Sequence, residues 1–322
     1  MARNTRKKPL SLEDLATEQL NPLSADLDTK SSLEIVRIIN SEDAKVAAAV
    51  ERALPRIAKA VDWIASSLGN GGRLIYVGTG TSGRIAALDA SECPPTFDTD
   101  PKLVQFVIAG GEKALASAIE ADEDSEELGV REIRKRKPGK RDVVVGIAAS
   151  GRTPFTVAAI KYSKQAGAKT IAVACNPSSP LERAADLGIV IETGPEVVAG
   201  STRMKAGTAE KMVVNMLSTG AMVRLGYVYG NLMVNLHQKN SKLAERATRI
   251  AEQALGLGAN QARNALQRAG RELPVAIVMS KADISRHEAK KALLESGGNV
   301  RKAIGITSSK VTANHTGLHR RN

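Results

Sequence analysis

The strongest constraint on this chain is a set of five short β-branched runs, each closed by glycine or a small polar residue, at positions 73–77, 103–109, 142–148, 170–174 and 187–191. Runs that are near-continuously apolar, rather than alternating, belong to strands buried on both faces, the mark of a parallel sheet. Helical spacing lies between most of them, at 82–91, 112–127, 154–166 and a more polar 180–185. The alternation predicts an α/β fold: a doubly wound, flavodoxin-like parallel sheet with helices on both sides. Aromatic residues make up only 2% of the chain against 43% apolar, so the core must be packed from Ala, Val, Ile, Leu and Met.

Ahead of the sheet, helical apolar spacing runs over 32–39, 46–50 and 54–68. After residue 206 the pattern reads as helical throughout, with long helices over 206–225 and 231–255. Shorter ones follow at 260–269, 273–280 and 285–294, with a last turn at 299–304. The expected organisation is an N-terminal tail and helices over 1–55, the sheet domain over 56–245, a small helical module over 246–305 and a basic, mobile tail over 306–322.

The net charge of +12 invites a nucleic-acid reading, but seven of those charges sit in the two ends: Arg3, Arg6, Lys7, Lys8, Lys310, Arg320 and Arg321. With few aromatics to stack on bases, no nucleic-acid partner is expected. No apolar run approaches the roughly 20 residues of a membrane span, and the basic start lacks the apolar stretch of a signal peptide, so no membrane partner and a cytoplasmic location are expected. Cys93 and Cys175 are too few for a disulfide framework. No His, Cys or acid spacing suggests a metal site. His237 falls in the expected 231–255 helix, His287 in the helical module, and His315 and His319 in the tail; none reads as a catalyst.

Three strand-to-helix loops carry the chemistry. The first strand runs into Gly78-Thr79-Gly80-Thr81-Ser82-Gly83-Arg84. Glycines let the backbone approach a ligand closely, and amides at a helix start favour an anion. Thr79, Thr81 and Ser82 add hydroxyl donors. The string also satisfies a dinucleotide fingerprint, but such a site needs an acid at the end of the next strand, and none occurs before Glu112. A second loop, Ala149-Ser150-Gly151-Arg152-Thr153-Pro154, follows the third strand, with Pro154 suited to open a helix. A third, from Gly200 through Ser201, Thr202, Arg203 and Lys205 to Thr208, adds hydroxyls and two cations. Hydroxyl-rich loops at the carboxyl ends of parallel strands point to converging donors around one small phosphate. The binding set is Thr79, Thr81, Ser82, Ser150, Arg152, Thr153, Ser201, Thr202 and Lys205.

The segments 17–21, 78–84, 88–96, 108–112, 123–125, 146–154, 200–211 and 215–220 resemble the N-acetylmuramic acid 6-phosphate etherases, bacterial enzymes with the sugar isomerase (SIS) fold. The strings D-A-S-E-C-P-P-T and G-S-T-R-M-K-A-G-T are the most specific, and the likeness runs from about residue 12 to 305. The glucokinase regulator shares the fold in a longer, duplicated chain. The resemblance implies a carbon–oxygen lyase of peptidoglycan recycling, with a sugar-phosphate substrate and no metal or redox cofactor, that converts N-acetylmuramate 6-phosphate and water to N-acetylglucosamine 6-phosphate and D-lactate. It implies Glu92 as the acid that protonates departing lactate and then activates water, and Glu123 as the base that takes the C2 proton.

Local sequence bears on both roles. Glu92 reads as the end of a helix stopped by Pro94 and Pro95, where the macrodipole disfavours a carboxylate by about 0.3–1 kcal/mol. Glu123 lies in an acidic cluster with Glu120, Asp122, Asp124, Glu126 and Glu127 that reads as a solvated helix face; only the resemblance selects it. Ten helical residues separate Ser82 from Glu92, about 15 Å, longer than a hexose ring, so a homodimer is expected in which a second copy completes the site. Two rivals share the pocket: an aldose–ketose isomerase, which needs no acid at C3, and a sugar-phosphate sensor, which needs neither glutamate. Cys93 reads as a packing residue.

Overall fold

The computed structural model describes residues 15–117, 119, 121–235 and 241–307. The basic ends, Glu120, His237, His315, His319 and the expected mobile tail beyond 307 lie outside them. The chain forms two compact units, one taking residues up to Ala90 and again Lys102–Ser218, the other Ser91–Pro101 and the residues from Thr219 onward. The division thus falls after Ser218 rather than at 245, and Ser91–Pro101 belongs with the later unit.

The first unit opens with α1 (Ser32–Asp43), α2 (Val46–Glu51) and α3 (Leu54–Gly69). Ser31 starts α1 through a reciprocal pair with Glu34, each side chain bonding the other residue's backbone amide. In α3, Ile57, Ala60, Ile64 and Leu68 recur at helical spacing and are all buried. Then come β1 (Leu74–Gly78), α4 (Gly80–Phe97), β2 (Val104–Ile108), α5 (Glu126–Lys135), β3 (Val143–Ile147), α6 (Pro154–Gln165), β4 (Lys169–Ala174), α7 (Pro180–Ala184), β5 (Leu187–Val190) and α8 (Lys205–Leu225).

The five strands form one parallel sheet in the order β2-β1-β3-β4-β5. The whole of β1 and β3 is buried, as their continuous apolar runs require. Ile75, Val77, Val144 and Ala172 pack one face against α5, α6 and α7. Tyr76 alternates to the other face, where its hydroxyl donates to Asp89 on α4 at 2.9 Å. The chain winds outward in both directions from β1 and β3, so the crevice beyond their carboxyl ends is the topological switch point where open α/β sheets bind ligands.

Two expected helices differ. Among the described residues of 112–125 no α-helix forms: Gly110 and Gly111 both take left-handed backbone (φ +80° and +64°), a short 3-10 turn covers Gly111–Leu115, and α5 starts only where Ser125 caps Leu128. Glu123 therefore sits in a turn, and Glu126 and Glu127 occupy the first turn of α5, where the macrodipole favours acids. The 231–255 helix is also cut short. A small hairpin, β6 (Val228–Tyr229) with β7 (Leu232–Met233), turns at Gly230 (φ +63°) before α9 (Ser241–Leu255).

The later unit continues with α10 (Ala259–Arg268), α11 (Leu273–Ala282) and α12 (Arg286–Glu295), and residues 300–307 are again helical. Ala247, Ala251, Leu266, Ile277, Val278 and Val300 are among its core. Among the described residues no helix is long and apolar enough to cross a membrane.

Candidate active site

The loop after β1 is one tight turn. Gly80 takes a left-handed φ of +49° that a side chain would strain, and the Gly83 amide donates to the Thr79 carbonyl at 2.9 Å. Thr79 and Ser82 are buried; Thr81 is half-buried. The loop after β3 is held as closely. Gly151 has φ +67°, and a Cβ there would fall 2.3 Å from Ser179 Oγ, so only glycine fits. The Ser150 hydroxyl accepts from the Arg152 amide at 3.2 Å. Thr153 occupies the N-cap of α6, with Pro154 as its first residue, but its hydroxyl makes no capping bond. Arg152 is exposed.

In the third loop Ser201 and Thr202 are half-buried and Arg203 is exposed. Thr202 accepts the Gly207 amide at 2.9 Å. The buried Glu196 carboxylate receives the amides of Lys205 and Ala206 at 3.0 and 2.9 Å, capping α8 with negative charge. Burial raises the Glu196 carboxyl above its usual range despite these two donors.

Lys205 does not follow expectation. It is 2% exposed, and its ammonium donates to Glu42 Oε2 at 2.6 Å. Glu42 also receives Asn21 Nδ2 at 3.0 Å and pairs with Lys45. Burial alone would raise the Glu42 carboxyl, but bonds from Lys205, Lys45 and Asn21 hold it down at about 2. The cation is engaged inside the protein by a partner 163 residues away in sequence.

The three loops meet. Ala149, Cys175 and Ala206 form a buried cluster that joins the second loop to the third. Thr81 Cγ2 lies 3.4 Å from where a Cβ on Gly207 would stand, joining the first to the third. The first and third are tied again by Ser82 Oγ, which donates to Glu210 Oε1 at 2.9 Å. Glu123 joins this group. Its Oε1 lies 3.1 Å from the position of a Cβ on Gly80, and its carbonyl accepts the Phe155 amide at 3.1 Å. A carboxylate is thereby suspended between the loop of β1 and the helix after β3.

Glu92 is exposed on α4 and belongs to the later unit. The helix does not stop there: it runs through Pro94 and Pro95 to Phe97. The prolines remove two amide donors without ending the helix, so the local argument for Glu92 as a helix end does not hold. Cys93 is buried. Among the described residues no group of three or more His, Cys, Asp or Glu side chains is gathered to hold a metal ion.

Two polar clusters were missed. Asp89 is buried and accepts from Tyr76, Asn215 and Ser218 at 2.9, 2.7 and 3.0 Å, tying β1, α4 and α8 together. Burial raises its carboxyl, opposed by those donors. Glu210 is fully buried beneath the first loop. A sequence signal for it existed: Ala206, Ala209, Val213, Val214 and Leu217 mark the buried stripe of α8, and Glu210 stands in that stripe.

Residues 56–164 match the family described as the glucokinase regulatory protein N-terminal SIS domain, and residues 137–220 match the SIS domain. The chain is 48% identical over 301 residues to an N-acetylmuramic acid 6-phosphate etherase of Clostridium beijerinckii, covering 94% of this chain and 99% of that one. It is 49% identical over 297 residues to N-acetylmuramic acid 6-phosphate etherase 1 of Enterococcus faecalis, covering 92% and 99%. With the etherase of Clostridium botulinum (strain Langeland) it shares 50% over 295 residues, covering 92% and 98%. Loops, sheet order and kinship agree, and the chain belongs to the N-acetylmuramic acid 6-phosphate etherase family.

Proposed function

We propose that the chain cleaves the D-lactyl ether of N-acetylmuramic acid 6-phosphate, giving N-acetylglucosamine 6-phosphate and D-lactate. An alkyl ether resists direct hydrolysis because an alkoxide leaves poorly. In the open-chain sugar the C2 proton is activated by the C1 aldehyde. A base takes that proton, the C3–O bond breaks as the C2–C3 double bond forms, and an acid protonates the leaving lactate oxygen. Water then adds at C3, losing a proton to the former acid, while C2 regains a proton from the former base.

The hydroxyls of Thr79, Thr81, Ser82, Ser150, Thr153, Ser201 and Thr202, with Arg152 at the rim, are the proposed phosphate and sugar contacts. Glu123 is the proposed base and Glu92 the proposed acid. The observation that carries this reading is the meeting of three hydroxyl-bearing loops at the switch point of the sheet, with the Glu123 carboxylate against Gly80. The helical spacing between Ser82 and Glu92 asks for the acid of a second copy, so a homodimer is part of the reading, as is a cytoplasmic location.

The test is D-lactate release from N-acetylmuramate 6-phosphate. Glu123→Gln should lose both lactate release and exchange of the C2 proton with solvent deuterium, by about 10²–10⁴-fold. Glu92→Gln should lose lactate release while exchange continues. Binding of the sugar phosphate without lactate release by the unaltered protein would refute the reading in favour of a sensor, and retained turnover in either variant would refute that residue's role.

A further inference from the structure

The elimination chemistry leaves one buried acid without a task. Glu210 lies in the second turn of α8 with no exposed surface, its Oε1 accepts the Ser82 hydroxyl at 2.9 Å, and its Oε2 has no hydrogen-bond partner among the described residues. Native structures rarely leave a buried carboxylate oxygen unsatisfied, because an ion so placed is strongly disfavoured. Burial pushes the Glu210 carboxyl up to about 8 against the one bond from Ser82. Near neutral pH the group is therefore mostly a neutral acid.

The charged and titratable groups around it do not alter this. The Cys175 thiol is pushed well above its usual range by burial and by Glu210 itself, so it is neutral. The Glu196 carboxylate is occupied by two amides of α8, and the Lys205 ammonium faces Glu42. On α4, Asp89 is bonded to Tyr76, Asn215 and Ser218, and the charge of Lys211 acts on Asp89. Glu123 stands against Gly80 of the first loop. Among the described residues no cation pairs with Glu210.

We propose that Glu210 is a positioning residue for anion binding: as a neutral acid it donates its proton to Ser82 Oγ and frees the Ser82 hydroxyl to donate to the substrate phosphate. When Glu210 ionises, the same hydroxyl turns inward to the carboxylate, and a negative charge appears beneath the loop that must hold a dianion. The inference rests on the reading that Ser82 faces the substrate phosphate.

The consequence is a pH-dependent affinity with a defined sign. The binding-competent form is present below the Glu210 transition near 8 and is lost above it. If only the protonated form binds, apparent affinity falls with its fraction, about tenfold between pH 7 and pH 9. A phosphate monoester loses its last proton near pH 6 and does not titrate in that window.

The experiment measures the dissociation constant of N-acetylglucosamine 6-phosphate by calorimetry at pH 7, 8 and 9, with kcat and KM for lactate release alongside. The unaltered protein should weaken about tenfold across the range. Glu210→Gln, whose amide donates to Ser82 at every pH, should lose the rise between pH 7 and pH 9. Ser82→Ala should weaken binding at pH 7 and flatten the profile. A rise that persists in Glu210→Gln, or a flat profile in the unaltered protein, overturns the proposal. Lactate release by the unaltered protein is scored separately: its absence refutes the etherase reading, whereas its presence with a flat profile refutes only the role of Glu210.

Discussion

Replacing Lys205 with methionine separates two accounts of the third loop. If the ammonium contacts a ligand, Lys205→Met spares the fold and weakens binding. If it serves Glu42, as the 2.6 Å contact and side-chain exposures of 2% and 3% indicate, the loss falls on stability. Removing one partner of a buried pair leaves the other charge uncompensated, at about 3–5 kcal/mol. The acid side gives the same order. Burial opposes ionisation of Glu42, yet its donors lower the carboxyl from 4.5 to about 2, and at about 1.4 kcal/mol per pH unit this corresponds to roughly 3 kcal/mol. That contribution is fully present above pH 4.5 and disappears as pH falls toward 2. Lys205 is the largest of the donors, but Lys45, which is more exposed, and Asn21 contribute as well. The readout is the fluorescence of Trp63, the single tryptophan, which lies on α3 in the first unit and so reports on the unit that holds the pair. The urea midpoint of Lys205→Met at pH 7 should drop by about 1–2 M. Lys205→Met with Glu42→Gln should recover a large part of the loss, because no buried charge is stranded. A midpoint within about 0.3 M of the unaltered protein, with weakened sugar-phosphate binding, would refute the reasoning and return Lys205 to the ligand.

Two glycine substitutions test the loops themselves. Gly151→Ala combines a left-handed backbone with a Cβ 2.3 Å from Ser179 Oγ and 2.4 Å from Ser179 Cβ, and should cost about 2 kcal/mol or more in thermal or urea unfolding, since the loop must shift. Gly80→Ala meets only the Glu123 carboxylate, at 3.1 Å, apart from its φ of +49°; about 1–2 kcal/mol of stability should go, and C2 proton exchange should slow more than sugar-phosphate affinity falls. Equal losses in exchange rate and affinity would argue against Glu123 as the group displaced.

The sheet was legible because strands buried on both faces need apolar side chains at every position, and β1 and β3 have them. The loops were legible because glycines and hydroxyls cluster where those strands end. Features decided by a few backbone angles or by distant partners were not. The segment around Glu123 has the composition of a helix, but Gly110 and Gly111 turn the chain and Ser125 restarts it. A hairpin of two residues per strand is too short to show a period, so β6 falls between the expected helices and β7 inside the expected 231–255 helix. Pro94 and Pro95 look like a stop in the sequence, yet the helix tolerates both. The neighbours of Lys205 in the loop suggest a ligand contact, and nothing local announces its partner acid in α1. Glu210 differs, since an acid inside an apolar stripe is visible in the sequence itself.

The knot of Tyr76, Asp89, Asn215 and Ser218 has a consequence for the loops above it. Ser82 and Asp89 are seven residues apart on α4, two turns along the same stripe, and each meets α8, through Glu210 and through Asn215 with Ser218. The two contacts act like a pair of dowels. One alone would let α4 pivot against α8, whereas two fix both its slide and its roll. Screens of randomly altered chains should therefore recover impaired catalysts at positions 89, 215 and 218, where no side chain has been assigned to the sugar, because tolerance at the mouth of the crevice is set by alignment lower in the fold.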